Sequence, residues 1–286
     1  MSWDVIWQSV MAVVGTANLV MALVIFFRSR KWGVAEPHNS GYFRLLRILG
    51  LIFISVALYR TIFVSSYPDR LVWYDTVFNS PFLIRCLAAF AELSFIIMIA
   101  AVMRKMIKDI VMSDERVNGN LPRSVLDKLP LVAVGCIFLA QLFAFAGLIT
   151  QYQTPFAIEE TLWALAFLSI TPMIVTGFKQ VKKNKNAAKG FKAFLIVMAV
   201  WCGGYLAFQC LYALPFMYFA NLAQDAGKSI PRDALRQAVF GYTATRDFST
   251  WGGLGFFIWH SGYFSVCAWM TLLFMSAPRK QNAMSE

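Results

Sequence analysis

The sequence predicts an all-α integral membrane protein: a seven-helix bundle with its N-terminus outside and its C-terminus in the cytoplasm. Of its 286 residues, 59% are hydrophobic and only 14% are charged, with 26 Phe and 9 Trp. Its mean hydropathy is +0.59, and its Lys and Arg residues fall in blocks between long apolar stretches. This composition excludes a water-soluble domain, a disordered chain and a disulfide scaffold, because no solvated surface accommodates so much apolar area.

Crossing about 30 Å of hydrocarbon takes about 20 mostly apolar helical residues. Seven stretches qualify, near Val5 to Phe27, Leu45 to Ser65, Pro81 to Met103, Leu131 to Thr150, Phe156 to Phe178, Phe191 to Leu214 and Trp251 to Met275. Helices are expected because backbone in lipid must satisfy its hydrogen bonds within each segment. The first stretch reads as a span and not a cleaved signal, since Asp4 is its only preceding charge and its apolar run is too long. A single membrane domain over residues 1–286 is expected.

Orientation follows from the basic residues. The first connection carries Arg28, Arg30, Lys31, Arg44 and Arg47; the third carries Arg104, Lys105, Lys108, Arg116, Arg123 and Lys128. The fifth carries Lys179, Lys182, Lys183, Lys185, Lys189 and Lys192, and the tail adds Arg279 and Lys280. The other side has only Arg70, Lys228, Arg232, Arg236 and Arg246, so nineteen cations face five. The crowded side is predicted to be cytoplasmic. The net charge of +11 is then an inner-surface property suited to anionic lipid, and no nucleic-acid partner is needed to explain it.

In the third connection, Asn118-Gly119-Asn120 is turn chemistry. In the sixth, Ser229 to Phe240 has a capping Ser, an early Pro and Leu235, Ala238 and Val239 at helical spacing, which predicts a short helix on the outer interface. Trp3, Trp7, Trp73 and Trp251 fit an outer aromatic belt and Trp32 an inner one. Pro172 predicts a kink in span five, and Gly203-Gly204 and Gly252 to Gly255 predict bending or close packing. All five cysteines lie within spans as small hydrophobes.

Charges within spans are costly and mark sites or helix locks. Arg60, Arg85, Glu159 and Glu160 are expected to form one layer towards the outer ends of spans two, three and five. Glu92, His260, Asn18 and Gln141 form a deeper one, with Gln209 between the layers. Arg85 and Glu92 are seven residues apart on one helix face, with about 10 Å of rise between them, which argues against a direct pair. The pattern suggests a polar shaft with arginines at the mouth and Glu92 beside His260 at the floor.

No span contains a lysine, which excludes a retinal Schiff base. With His38 and His260 the sole histidines, a bis-His haem within the membrane and a three-histidine zinc site are excluded. No HExxH, Walker or GxSxG motif occurs, and no catalytic residue, metal or cofactor is assigned. Asn18 before Leu-Val and the Arg28 to Lys31 turn resemble the first helix of G-protein-coupled receptors. Span three ends in Met103-Arg104-Lys105 and span seven has no Asn-Pro-x-x-Tyr, so that likeness stops at one helix.

The function expected first is movement of a small anion or a proton through this site, opening to the outer face. Arg60 and Arg85 would attract the anion while Glu92 and His260 handle protons. A seven-helix receptor or sensor with a cytoplasmic protein partner is the second reading. The third is an intramembrane enzyme acting on a lipid or isoprenoid, with Glu92 as general acid among Phe90, Trp163, Phe257 and Trp259. The expected partners are the bilayer, anionic lipid and a small-molecule or ion ligand.

Overall fold

Ala88, Ala91, Phe95, Ile96, Ile99 and Met103 recur at helical spacing and all are buried, so their helix must be surrounded by others. The computed structural model, which describes residues 2–28, 40–111, 122–183 and 189–276, places that helix at the middle of the bundle. The long helices are α1 (Trp3–Arg28), α2 (Ser40–Ile62), α3 (Pro81–Val111), α4 (Leu129–Thr150) and α5 (Gln153–Lys183). Next, α6 runs over Lys189–Phe208 and continues as π-helical Gln209–Tyr218 and 3-10 turns Phe219–Asp225. Last, α7 comprises Gly253–Gly262, π-helical Tyr263–Cys267 and Ala268–Ser276. Among the described residues, seven helices are long and apolar enough to cross a membrane.

The central helix α3 packs against α2, α4, α5 and α7; α1 packs on α2 and α7, and α6 on α5. Local chemistry sets the ends. Pro81 opens α3 and Pro130 lies in the first turn of α4, where a missing N–H costs nothing. At the end of α4, Gln151 turns left-handed (φ 61°) and its N–H returns to the Gly147 carbonyl at 2.7 Å, leaving only Tyr152 before α5 begins. This tight turn makes α4 and α5 antiparallel neighbours.

The predicted spans all correspond to helices, several of them with shifted bounds. The second ends at Ile62 and not Ser65, and the sixth runs past Leu214 to Asp225. Pro215 follows that predicted boundary directly and lies within the π-helical stretch. The turn at Asn118-Gly119-Asn120 and the inner-belt Trp32 lie outside the described residues.

Connections at the N-terminal end of the bundle contain a small sheet that the sequence reading did not predict. Strand β1 (Ser65–Ser66) pairs antiparallel with β2 (Leu71–Val72), which pairs parallel with β3 (Thr243–Ala244). The helix predicted within Ser229 to Phe240 is present as Ala234–Phe240, with Ala234 and Ala238 buried and Leu235 exposed. It is held to the start of α3 by Ser80 Oγ, which donates to the Val239 carbonyl at 2.7 Å.

The tryptophans of the expected outer belt also pack on one another. Trp73 meets Trp3, Trp7 and Trp251 at ring separations of 6.1, 5.4 and 5.5 Å. Trp73 and Trp251 are buried, because Trp73 Nε1 donates to Gln8 Oε1 (3.1 Å) and Trp251 Nε1 to the Thr245 carbonyl (3.0 Å). The glycine expectation also changes. A Cβ on Gly203, Gly204 or Gly255 would meet open space, whereas Gly252 and Gly253 adopt left-handed φ values of 78° and 60° that turn the chain into α7. Close packing occurs at Gly147, where a Cβ would lie 2.6 Å from the Phe156 ring.

Gly147→Val should therefore force α4 and α5 apart and destabilise the protein by about 1–3 kcal/mol, measured by thermal unfolding in detergent. Asp247 provides a pH test. Its carboxylate accepts hydrogen bonds from Ser249 and Thr250, which lower its pKa to about 2. The turn's stabilisation is complete above the ordinary carboxyl range near 3.8 and is lost as pH falls towards about 2. Asp247→Asn should abolish that acid-range loss in an unfolding titration.

Candidate functional site

Arg85 lies in the second turn of α3 and has no exposed surface. A guanidinium keeps its charge, so this position must be met by acceptors. Nη2 donates to Glu92 Oε2 at 2.9 Å and to Gln141 Oε1 of α4. Nη1 lies 3.4 Å from Glu159 Oε1 of α5. Gln141 Nε2 donates to Glu92 Oε2 at 3.1 Å, and Arg60 Nη1 of α2 approaches Glu92 Oε1 at 3.8 Å. Four helices thus meet in one network of two guanidiniums and two carboxylates.

The expectation that Arg85 and Glu92 are too far apart is overturned by their 2.9 Å contact. Rise between Cα atoms is not the distance between charged ends. Helical side chains lean towards the helix N-terminus, so Glu92 leans towards Arg85, and the long arginine spans the remainder. Ala88 and Ala89 lie between them and leave the face clear. The two expected layers are therefore joined by Arg85, Glu92, Gln141 and Glu159.

Tyr67 closes the network from the β1–β2 hairpin. Its hydroxyl donates to Glu159 Oε1 at 3.1 Å and its ring lies 5.1 Å from the Arg85 guanidinium carbon. Burial, with the Glu159 carboxylate beside it, pushes the Tyr67 hydroxyl well above its ordinary pKa, so it acts as a neutral donor. Sequence reading missed Tyr67. Its Tyr-Pro-Asp-Arg context signals a turn, but a turn does not reveal that its first residue folds inwards.

His260 is not hydrogen-bonded to Glu92 among the described residues. Its ring sits among Trp7, Phe256 and Phe264 at 5.1, 5.6 and 4.5 Å, and Nδ1 has no partner. The Arg60 guanidinium packs over Phe264 (4.9 Å). Asn18 is buried on α1 with Nδ2 unpartnered, and it makes no hydrogen bond to the network among the described residues. Glu160 bonds elsewhere, accepting from Gln209 Nε2 and from Tyr218 OH at 3.3 Å. The proposed aromatic wall is dispersed: Phe90 and Trp259 are exposed, Phe257 joins the tryptophan cluster, and Trp163 packs against Phe167 and Tyr205.

Arg85→Met would leave two buried carboxylates without their main partner, an expected loss of about 3–5 kcal/mol. Adding Glu159→Gln should recover part of it in a double-mutant cycle read by unfolding in detergent. Comparison of the chain with protein-family models, curated proteins and solved structures returned no match.

Proposed function

We propose that this protein is a membrane transporter that moves a small anion together with a proton, its N-terminus outside and its basic face against cytoplasmic anionic lipid. The observation that carries this reading is the charge balance of the buried network: Arg60 and Arg85 against Glu92 and Glu159. An anion arriving alone would add a third negative charge in a poorly solvated place. A proton on Glu92 cancels one carboxylate and frees guanidinium hydrogen bonds, so proton and anion enter as a neutral pair. The site's charge is then the same when loaded and when empty.

Each helix packed on Glu92 contributes to this exchange. Arg85 is on its own helix, Arg60 on α2, Gln141 on α4 and Glu159 on α5. Tyr205 of α6, and Tyr263 and Cys267 of α7, lie within electrostatic reach. The intramembrane-enzyme reading draws less support, because a carboxylate held by Arg85, Arg60 and Gln141 is poorly placed to donate a proton to a substrate.

In proteoliposomes, chloride or formate uptake should rise with external acidity without generating a membrane potential. Glu92→Gln fixes the neutral form and should remove that pH dependence. Retained pH dependence in the variant, or electrogenic uptake by the wild type, would refute the mechanism.

A further inference from the structure

Glu160 stands apart from the arginine network. The two guanidiniums are matched by Glu92 and Glu159, and no Lys, Arg or His nitrogen forms an ion pair with Glu160 among the described residues. Its partners are neutral and come from α6. Gln209 Nε2 and Tyr218 OH donate to its two oxygens, and Gln209 Nε2 also donates to Tyr205 OH at 2.7 Å. The π-helical turns that begin at Gln209 and end at Tyr218 bring both side chains onto the Glu160 side of α6.

One atom in this group is unaccounted for. Gln209 is 1% exposed, yet its Oε1 has no hydrogen-bond partner. Were this amide to turn, its oxygen would join a carboxylate and two phenolic oxygens, the donor set of a hard cation. A proton would neutralise Glu160 but leave Oε1 where it is. A metal cation neutralises the same charge and takes Oε1 as a ligand once the amide turns. With one carboxylate and otherwise neutral oxygens, a single positive charge balances the site, whereas a divalent ion leaves one buried charge uncompensated.

We propose that Glu160, Gln209, Tyr205 and Tyr218 form a binding site for a monovalent alkali cation, separate from the anion and proton site. The assignment does not depend on anion movement, and the two are measured independently. Tyr205 lies 6.2 Å from Trp163 and 6.3 Å from Trp201 by ring centroid, which supplies an optical reporter.

The test is a titration of the full chain in lipid nanodiscs with sodium or potassium chloride, replaced stepwise by choline chloride at constant ionic strength and alkaline pH. Tryptophan fluorescence and the unfolding temperature should both change saturably with at least one alkali ion and not with choline. Gln209→Leu should raise the half-saturating concentration by about tenfold or more, the effect of losing one oxygen ligand. Glu160→Gln, which keeps the shape and removes the charge, should fold and lose the alkali response entirely. An equal response to choline and both alkali ions in the wild type overturns the proposal, as does a sodium or potassium response that survives Glu160→Gln.

Discussion

Arg85 carries a charge that no accessible pH removes, at a position with no exposed surface, and the central part of the bundle is arranged to meet it. Taking a guanidinium out of water costs several kcal/mol unless the geometry of its partners is good. Here Glu92 comes from the same helix, Gln141 and Glu159 from two others, and Arg60 approaches Glu92 from a fourth. Apolar packing alone gives little register preference to helices in lipid, where tails and side chains are equally apolar. A directional network of this kind fixes how α2, α3, α4 and α5 rotate and slide against one another. The same contacts that lock the helices therefore define the site.

This explains which features were legible in the sequence. The spans were readable because the hydrocarbon constraint acts on each segment separately, so length and composition suffice for seven helices. The importance of Arg60, Arg85, Glu92, Gln141 and Glu159 was also readable, since a polar group in an apolar run is conspicuous one residue at a time. Their pairing was not. Rise along the helix separates the backbones of Arg85 and Glu92, whereas side-chain lean and length close the gap between their charges. The partners of His260 and Glu160 depend on rotation about α6 and α7, which the π-helical stretches at Gln209–Tyr218 and Tyr263–Cys267 alter without any distinctive residue pattern. Likewise, the contacts among the tryptophans depend on the short sheet that gathers the loops, which no run of residues announces.

That sheet relates the site to the rest of the N-terminal end. The hairpin bearing Tyr67 is pinned on one side by Arg70, whose Nη2 donates to the Leu148 carbonyl at 2.9 Å, and on the other by β3. Trp73 follows β2 directly and packs against Trp251 and Trp7, so the hairpin is also tied to α1 and to the entry of α7. The Tyr67 ring lies against Arg85 at this end, and Tyr67 is held by the same Glu159 that holds Arg85. On the transport reading, an anion that takes Glu159's place on Arg85 also frees the carboxylate that anchors Tyr67. On that reading, loading the site and loosening the hairpin draw on one set of hydrogen bonds.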